Sequence, residues 1–270
     1  MPDITGKGFR QLTEYIKNNY GIHLKDEKKT LVHGRLHQIL ESKKLNSLGE
    51  YYEYILADKT GEAVETLLNK ITTNHTFFMR EAEHFYFFRD KVLPFLSSTV
   101  KSKDLRIWSA ACSSGEESYT LAMLIDEFLD KDKPNWDAKI LATDISDKVL
   151  TIARQGIYSN DRIAPLPLSW KIKYFTKINQ ENSAVIEAIK REVIYRKFNL
   201  MDTFPFRKNF HVIFCRNVMI YFDTPTKEAL IRKFYNSLEH GGYLFVGLSE
   251  SVNRETTQFK YIMPSVYRKE

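Results

Sequence analysis

Along the first hundred residues the apolar positions return at steps of three and four. Phe9, Leu12, Ile16 and Tyr20 follow that rhythm, as do Leu31, Arg35 and Ile39 beside Leu36 and Leu40, which places each set on one helical face. Gly21 is placed to stop the first helix. Ser47 is placed to cap a third carrying Tyr51, Tyr54 and Ile55, and Gly61 separates it from a fourth with Val64, Leu67, Leu68 and Ile71. Four short helices in about 70 residues predict a small bundle, assigned here to residues 1–71.

Beyond residue 104 the rhythm changes. LRIWSA is a short apolar run ending in small residues, followed by the helical SYTLAMLIDEFL. KILATDI and the helical DKVLTIARQ repeat the arrangement. VIYRKFNL, FHVIFCR, the helical KEALIRKFYNSL and YLFVGLS, after the turn-like pair Gly241-Gly242, continue it. Strands alternating with helices predict an α/β domain over 101–270, with a largely parallel sheet covered on both faces. The alternation weakens from Pro165 to about Lys197, which predicts an inserted subdomain there. Residues 72–100 form the linker.

Composition narrows the class. With 43% apolar and 27% charged residues, disorder is excluded as the dominant state. No apolar run approaches the ~18–20 residues of a bilayer span, so direct membrane insertion is not expected. MPDITGKGFRQL lacks a secretory signal pattern. Only Cys112 and Cys215 are present, too few for a disulfide framework or a four-thiolate zinc site, and a cytoplasmic location is expected. Forty basic residues against 34 acidic ones leave +6, which permits an anionic partner.

Four stretches carry candidate chemistry. In LRIWSA-ACSSG-EESYTLAML, small residues lie between a strand and a helix, where ligands gather at the carboxyl ends of parallel strands. KILATD places Asp144 at the tip of the next strand, where an acid accepts hydrogen bonds from ribose hydroxyls. The loop has one glycine, lacks the dinucleotide fingerprint and the P-loop ending, and is followed by Glu116-Glu117. Negative charge there favours a ligand with a positive group, such as S-adenosylmethionine; the competing reading of Glu117 is a capping box with Ser114. TTNHTFFMREAEHF sets Asn74, Thr76 and Arg80 among phenylalanines. The aromatics are expected to pack the two domains together, while Arg80 either pairs with a carboxylate or is solvated. In FCRNVMIYFD, the polar Arg216 and Asn217 leave a strand end and point to the same cleft, unless Asn217 only caps a helix. The histidines show no metal-ligand spacing, and no metal is expected.

TTNHTFFMREAEHF, WSAACSSGEESYTLA, LATDISDKVLTIARQGIY, FCRNVMIYF and GGYLFVGLSES, in that order and spacing, resemble the chemotaxis receptor methyltransferase CheR family, from about residue 20 to the end. The resemblance implies an S-adenosylmethionine-dependent enzyme that methyl-esterifies glutamates on the cytoplasmic helical bundle of transmembrane chemoreceptors. It implies a small all-α domain before a Rossmann-like methyltransferase domain with a small antiparallel β insertion. By position, Asn74, Thr76 and Arg80 would hold the methionine end of the cofactor, Glu117 its ammonium and Asp144 its ribose. Asn199 and Leu200 would line the adenine side, Arg216 and Asn217 would flank the site, and Tyr221 would lie near the transferred methyl. Arg80 and Tyr221 are the catalytic candidates.

Acidic receptor helices give a purpose to HLKDEKKTLVHGRLHQILESKK, where Lys28, Lys29, Arg35, Lys43 and Lys44 are the contact candidates. Family members that tether to a receptor-tail pentapeptide carry a glycine-containing turn in the insertion. KINQENSAVIEAIKREVIY has no glycine, so no tether is expected. Two alternatives stand beside this reading. One is a methyltransferase of nucleic acid or a small molecule, although RNVMIY lacks the prolines of an adenine-amino enzyme and no nucleic acid partner is expected. The other is a non-catalytic scaffold. A monomer is expected.

Overall fold

The computed structural model describes residues 6–25, 27 and 29–270; Lys28 lies outside the described residues. Four helices come first: α1 (Gly6–Tyr20), α2 (Lys29–Ser42), α3 (Leu48–Ala57) and α4 (Glu62–Ile71). Their stripes bury Leu12, Ile16, Leu36 and Leu67 completely. On α2 the buried stripe runs through Val32, Leu36, Ile39 and Leu40, and Leu31 faces solvent. Ser47 Oγ accepts from the Glu50 N–H at 3.1 Å while the Glu50 carboxylate accepts from the Asn46 N–H at 2.9 Å, which satisfies free donors at the start of α3. α1 stops at Gly21, whose φ is +71° and whose missing Cβ makes room for Met201 Sδ. Arg35 donates to the carbonyls of Lys70 and Ile71 at 3.3 and 3.2 Å. The guanidinium expected at the receptor therefore closes the end of α4.

Residues 72–81 cross to the second domain as a loop, followed by α5 (Ala82–Phe87), a π-helical turn (Phe88–Val92) and α6 (Leu93–Thr99). Phe85, Phe88, Val92 and Leu96 are buried at helical spacing. They lie on the sheet of the second domain, with Phe85 stacked on Phe214 at 5.9 Å and Phe88 edge-on to it at 5.7 Å. These aromatics thus cover one face of the sheet, because their spacing makes a single helical face, and they do not join the two domains.

The sheet uses β1 (Ile107–Ala110), β2 (Ile140–Asp144), β6 (Val193–Lys197), β7 (Phe210–Cys215), β8 (Leu238–Val246), β9 (Lys260–Met263) and β10 (Val266–Arg268), in the order β6-β2-β1-β7-β8-β10-β9. The first five are parallel, and β10 and β9 add an antiparallel edge that the hydrophobic pattern did not predict. Helices α7 (Glu116–Leu129), α8 (Asp147–Gln155) and α12 (Thr224–Ser237) connect the parallel strands. The chain runs from β1 outward to β2 and β6, then returns to the other side of β1 as β7. That reversal opens a crevice at the carboxyl ends of β1 and β7. Gly241 and Gly242 lie inside β8 rather than in a turn before it: Gly241 has φ +82°, and a Cβ on Gly242 would meet the His211 carbonyl at 3.0 Å, as at a kink in a strand.

The small antiparallel sheet has the order β3-β5-β4, from β3 (Ile157–Ser159), β4 (Phe175–Lys177) and β5 (Asn182–Val185), with the short helices α9 (Asn160–Ile163), α10 (Leu168–Tyr174) and α11 (Glu187–Lys190) around it. It starts before residue 165, and the stretch after 193 pairs with β2 in the main sheet. The bundle's apolar core continues onto Trp108, Ile213 and Leu244 of the main sheet. Lys17–Asp223 at 2.7 Å, Lys197–Glu65 at 3.1 Å and a bridge between Ile22 and Phe222 fix the bundle beside the crevice.

Candidate active site

The turn after β1 brings main chain into the crevice. Ala111, Ser113 and Gly115 all have left-handed φ, at +64°, +51° and +95°, a conformation that costs a non-glycine residue about 1–3 kcal/mol. A Cβ on Gly115 would lie 2.8 Å from Tyr195 Oη and 2.9 Å from Ala153 Cβ, so the loop's one glycine is required by packing. The Cys112 N–H donates to the Thr143 carbonyl at 2.9 Å, and the Ser113 N–H to Asp144 Oδ2 at 2.9 Å. Asp144 Oδ1 accepts from the Ser146 N–H at 3.0 Å. Burial raises the Asp144 pKa, against the pull of these main-chain donors.

The two glutamates after Gly115 have different surroundings. Glu116 is wholly buried, accepts from Ser114 Oγ at 2.8 Å and pairs with Arg162 of the insertion; burial raises its pKa, with Arg162 opposing. Glu117 faces the crevice, where it accepts from Ser109 Oγ at 2.7 Å and pairs with Arg216 Nη1 at 3.0 Å. The capping-box reading of Glu117 is thereby set aside, since the α7 cap makes no side-chain bond.

Arg216 is almost fully buried. Its Nη2 meets Glu81 Oε2 at 3.0 Å and the Arg80 carbonyl, and its guanidinium lies over Phe85 at 5.1 Å. Burial would raise the Glu81 pKa, but the Arg216 charge and hydrogen bonds outweigh it and hold the carboxyl below its ordinary range. Asn217, at φ +59°, donates from Nδ2 to Glu81 Oε1 at 3.2 Å. Glu81 carries no periodic signal, and its place one residue after Arg80 in a polar loop is the only hint of it that the sequence offers.

The remaining candidates close the opening. Arg80 Nη1 donates to the His75 carbonyl at 2.5 Å and has no carboxylate partner among the described residues. Asn74 accepts from Ser113 Oγ on its carbonyl at 3.1 Å, and the Thr76 carbonyl accepts from Arg162 at 3.5 Å. The Tyr221 hydroxyl accepts from the Thr73 N–H at 2.9 Å. Asn199 donates to the Asn19 carbonyl at 2.7 Å, and Leu200 is buried. Asn74, Thr76, Arg80, Glu117, Asp144, Asn199, Leu200, Arg216, Asn217 and Tyr221 all line one cleft. Tyr20 and Ile22 also line it; they come from the end of α1 and its exit, and helical periodicity alone does not show that they reach a site in the other domain.

The donor set suits a cationic nucleoside. Glu117 and Asp144 put two carboxylates on the strand-end wall, Ile145, Phe198 and Leu200 supply an apolar wall, and Arg80 keeps donors for an anionic group. Among the described residues Arg216 pairs with both Glu81 and Glu117 while Asp144 has no ion-pair partner, so negative charge remains on this wall.

Family models agree with this reading. Residues 7–72 match "CheR methyltransferase, all-alpha domain", and residues 74–267 match "CheR methyltransferase, SAM binding domain". The chain is 43% identical to a chemotaxis protein methyltransferase of Borreliella burgdorferi, over 99% of this chain and 95% of the relative. It is 37% identical to a probable chemotaxis protein methyltransferase of Rhizobium etli, over 94% and 96%. It is 36% identical to chemotaxis protein methyltransferase Cher2 of Pseudomonas putida, over 91% and 90%. Two domain models in sequence and relatives matched almost end to end, over a cleft set where the two domains meet, make this chain a member of the CheR methyltransferase family.

Proposed function

We propose that this S-adenosylmethionine-dependent methyltransferase forms methyl esters on glutamate side chains of chemoreceptors, which present them from a cytoplasmic helical bundle. The observation that carries the proposal is the division of charge in the cleft: fixed carboxylates on the strand-end wall, and at the opening an Arg80 with no carboxylate partner among the described residues.

When bound, S-adenosylmethionine supplies a methyl group on a positively charged sulfur. Glu117 holds the ammonium of the cofactor and Asp144 the ribose hydroxyls, each through lone pairs left over from the bonds described above. Asn74, Thr76 and Arg80 take the methionine carboxylate end, Asn199 and Leu200 line the adenine, and Asn217 flanks the site. The side chain of Arg216 is held by Glu81 and Glu117, so it orients Glu117 while flanking the cofactor. An incoming glutamate has a pKa of about 4.3 and is ionised at pH 7, so no residue of the chain has to remove a proton. Tyr221 and Arg80 orient the carboxylate toward the methyl group.

Receptor recognition falls to the basic face around Lys29, Lys43 and Lys44, without a pentapeptide tether. The β4–β5 turn supports that part. Asn179 Oδ1 accepts from the N–H groups of Glu181 and Asn182 at 2.9 and 2.7 Å, so the turn satisfies itself with no glycine. Micromolar binding of a receptor-tail pentapeptide to the insertion would count against this part alone.

The test is calorimetry with S-adenosylhomocysteine, followed by transfer of tritiated methyl to a receptor cytoplasmic fragment. Heat of binding and label released as methanol in base are expected, and Arg80→Ala is expected to abolish transfer while the fold persists. Base-stable label, or normal transfer by Arg80→Ala, would overturn the assignment.

A further inference from the structure

The segment from Arg216 to Tyr221 carries three of the cleft's candidates, and its shape is not one that a chain adopts unaided. Asn217 is left-handed, and the N–H groups of Asn217 and Ile220 share an acceptor. Both end on one side chain. Glu250 Oε2 accepts from the Asn217 N–H at 2.8 Å and from the Gly247 N–H at 2.6 Å, and Oε1 accepts from the Ile220 N–H at 3.2 Å.

Glu250 is buried, at 6% exposure, and has no cation within ion-pair distance among the described residues. Its only compensation is main-chain dipoles, the arrangement by which a loop of amides holds an anion. Gly247 makes this possible, because a Cβ there would meet Asn217 Nδ2 at 2.5 Å and Glu250 Oε2 at 2.9 Å. The ends of β7 and β8 are thus joined through a carboxylate directly behind the residues that face the cleft. On the other side, the Tyr221 hydroxyl is held by Thr73 and its carbonyl by the His23 N–H at 2.8 Å.

We propose that Glu250 is a positioning residue for methyl transfer: it fixes the 216–221 segment so that Asn217 and Tyr221 face the transferred group. Burial tends to raise its pKa, but the three N–H donors need an acceptor, so the carboxylate form is the one that holds the loop. The inference rests on the methyl-transfer reading above. A wild-type enzyme that bound S-adenosylhomocysteine but never labelled receptor would sink that reading, whereas the experiment below sinks only the role of Glu250.

Glu250→Gln is nearly isosteric, yet its amide group turns a donor toward one of the N–H groups. Tyr174→Phe, which removes a buried hydroxyl bonded to Asp126 at 2.9 Å in the insertion, serves as a remote control for loss of a polar contact. For Glu250→Gln, kcat is expected to fall about 10- to 100-fold, the penalty of misplacing a reacting group by roughly 1 Å. The S-adenosylhomocysteine Kd and the KM for receptor are expected to stay within about threefold, and Tyr174→Phe to keep its kcat. Unchanged kcat in Glu250→Gln would overturn the proposal. So would a kcat that falls only in proportion to cofactor affinity or folded fraction, since that is the signature of a structural role.

Discussion

Among the described residues, every buried polar or charged side chain lies beyond residue 80: His84, Glu116, Asp144, Arg216 and Glu250 among them. The described part of the four-helix bundle has none that is buried whole, only the enclosed Nε2 of the half-buried His33, and its interior is Leu, Ile, Val, Phe and Ala, with Tyr51 donating its hydroxyl to the Ala63 carbonyl at 3.0 Å. Apolar burial is non-directional and stabilises without specifying chemistry. Buried ionised groups cost stability unless paired, and here they gather where the strands end. The bundle therefore offers its surface for recognition, and the sheet edge retains the costly groups that a reaction needs.

That contrast is open to a paired test, which carries the largest expected effect. Arg162→Met leaves Glu116 buried without its cation, and breaking such a pair costs about 3–5 kcal/mol. The urea midpoint should fall, and cofactor affinity should fall with it, because Arg162 also holds Ser114 Oγ at 3.0 Å in the cofactor loop. Adding Glu116→Gln should restore most of the stability. Leu36→Ala in the bundle should cost about 3 kcal/mol through its cavity while leaving S-adenosylhomocysteine affinity unchanged. Should Leu36→Ala weaken cofactor binding as much as Arg162→Met does, the two regions do not divide labour as described.

Sequence periodicity exposed the bundle and the parallel strands because both bury long one-sided stripes. It exposed Asp144 and Glu117 because strand ends and small-residue loops have a position in the pattern, and family motifs supplied Asn74, Thr76, Arg80 and Tyr221. It did not expose Glu81 or Glu250, since each holds a site segment 30 or more residues away in the chain. Nor did it show that Arg35 caps α4 or that Gly241 sits inside a strand. Those depend on which surfaces meet after folding, and a single glycine or arginine reads the same before that choice is made.

The next effect sharpens the same contrast through pH. His84 is fully buried against Phe245, with Nδ1 3.5 Å from Glu81 Oε2. Burial first, and then the charge of Arg216, push its pKa down to about 4 from an ordinary 6.5. In that interval the unfolded chain binds the proton and the native one does not. The contribution is therefore complete above pH 6.5 and is lost as pH falls toward 4. The loss should amount to about 3 kcal/mol for this one group by pH 4. Asp144, Glu116 and Glu250, with raised pKa values, pull in the opposite sense, so the quantity to measure is a difference. Urea unfolding of wild type and His84→Leu from pH 7 to 4 should show the wild type losing more stability. Parallel curves would mean that Glu81 keeps His84 protonated in the native state.

The smallest effect concerns the bundle's surface. Lys43 and Lys44 are exposed just past the end of α2, with Lys43 over the Tyr54 ring at 5.3 Å. Neither supports the core, so the double change to glutamate should leave stability and S-adenosylhomocysteine affinity as they are. If this face steers acidic receptor helices, the KM for a receptor fragment should rise about three- to tenfold at low ionic strength. The difference should vanish by about 0.5 M salt, where charges more than a few ångströms apart no longer sense one another. A rise in KM that survives high salt would point to a lost packed contact instead. No rise at any salt would move receptor docking off this face, leaving the insertion, which bears the exposed Leu168 and Ile172, as the surface to test. In either case the sheet-edge charges would keep their role, because their effect is read in kcat and cofactor affinity, which the lysines do not touch.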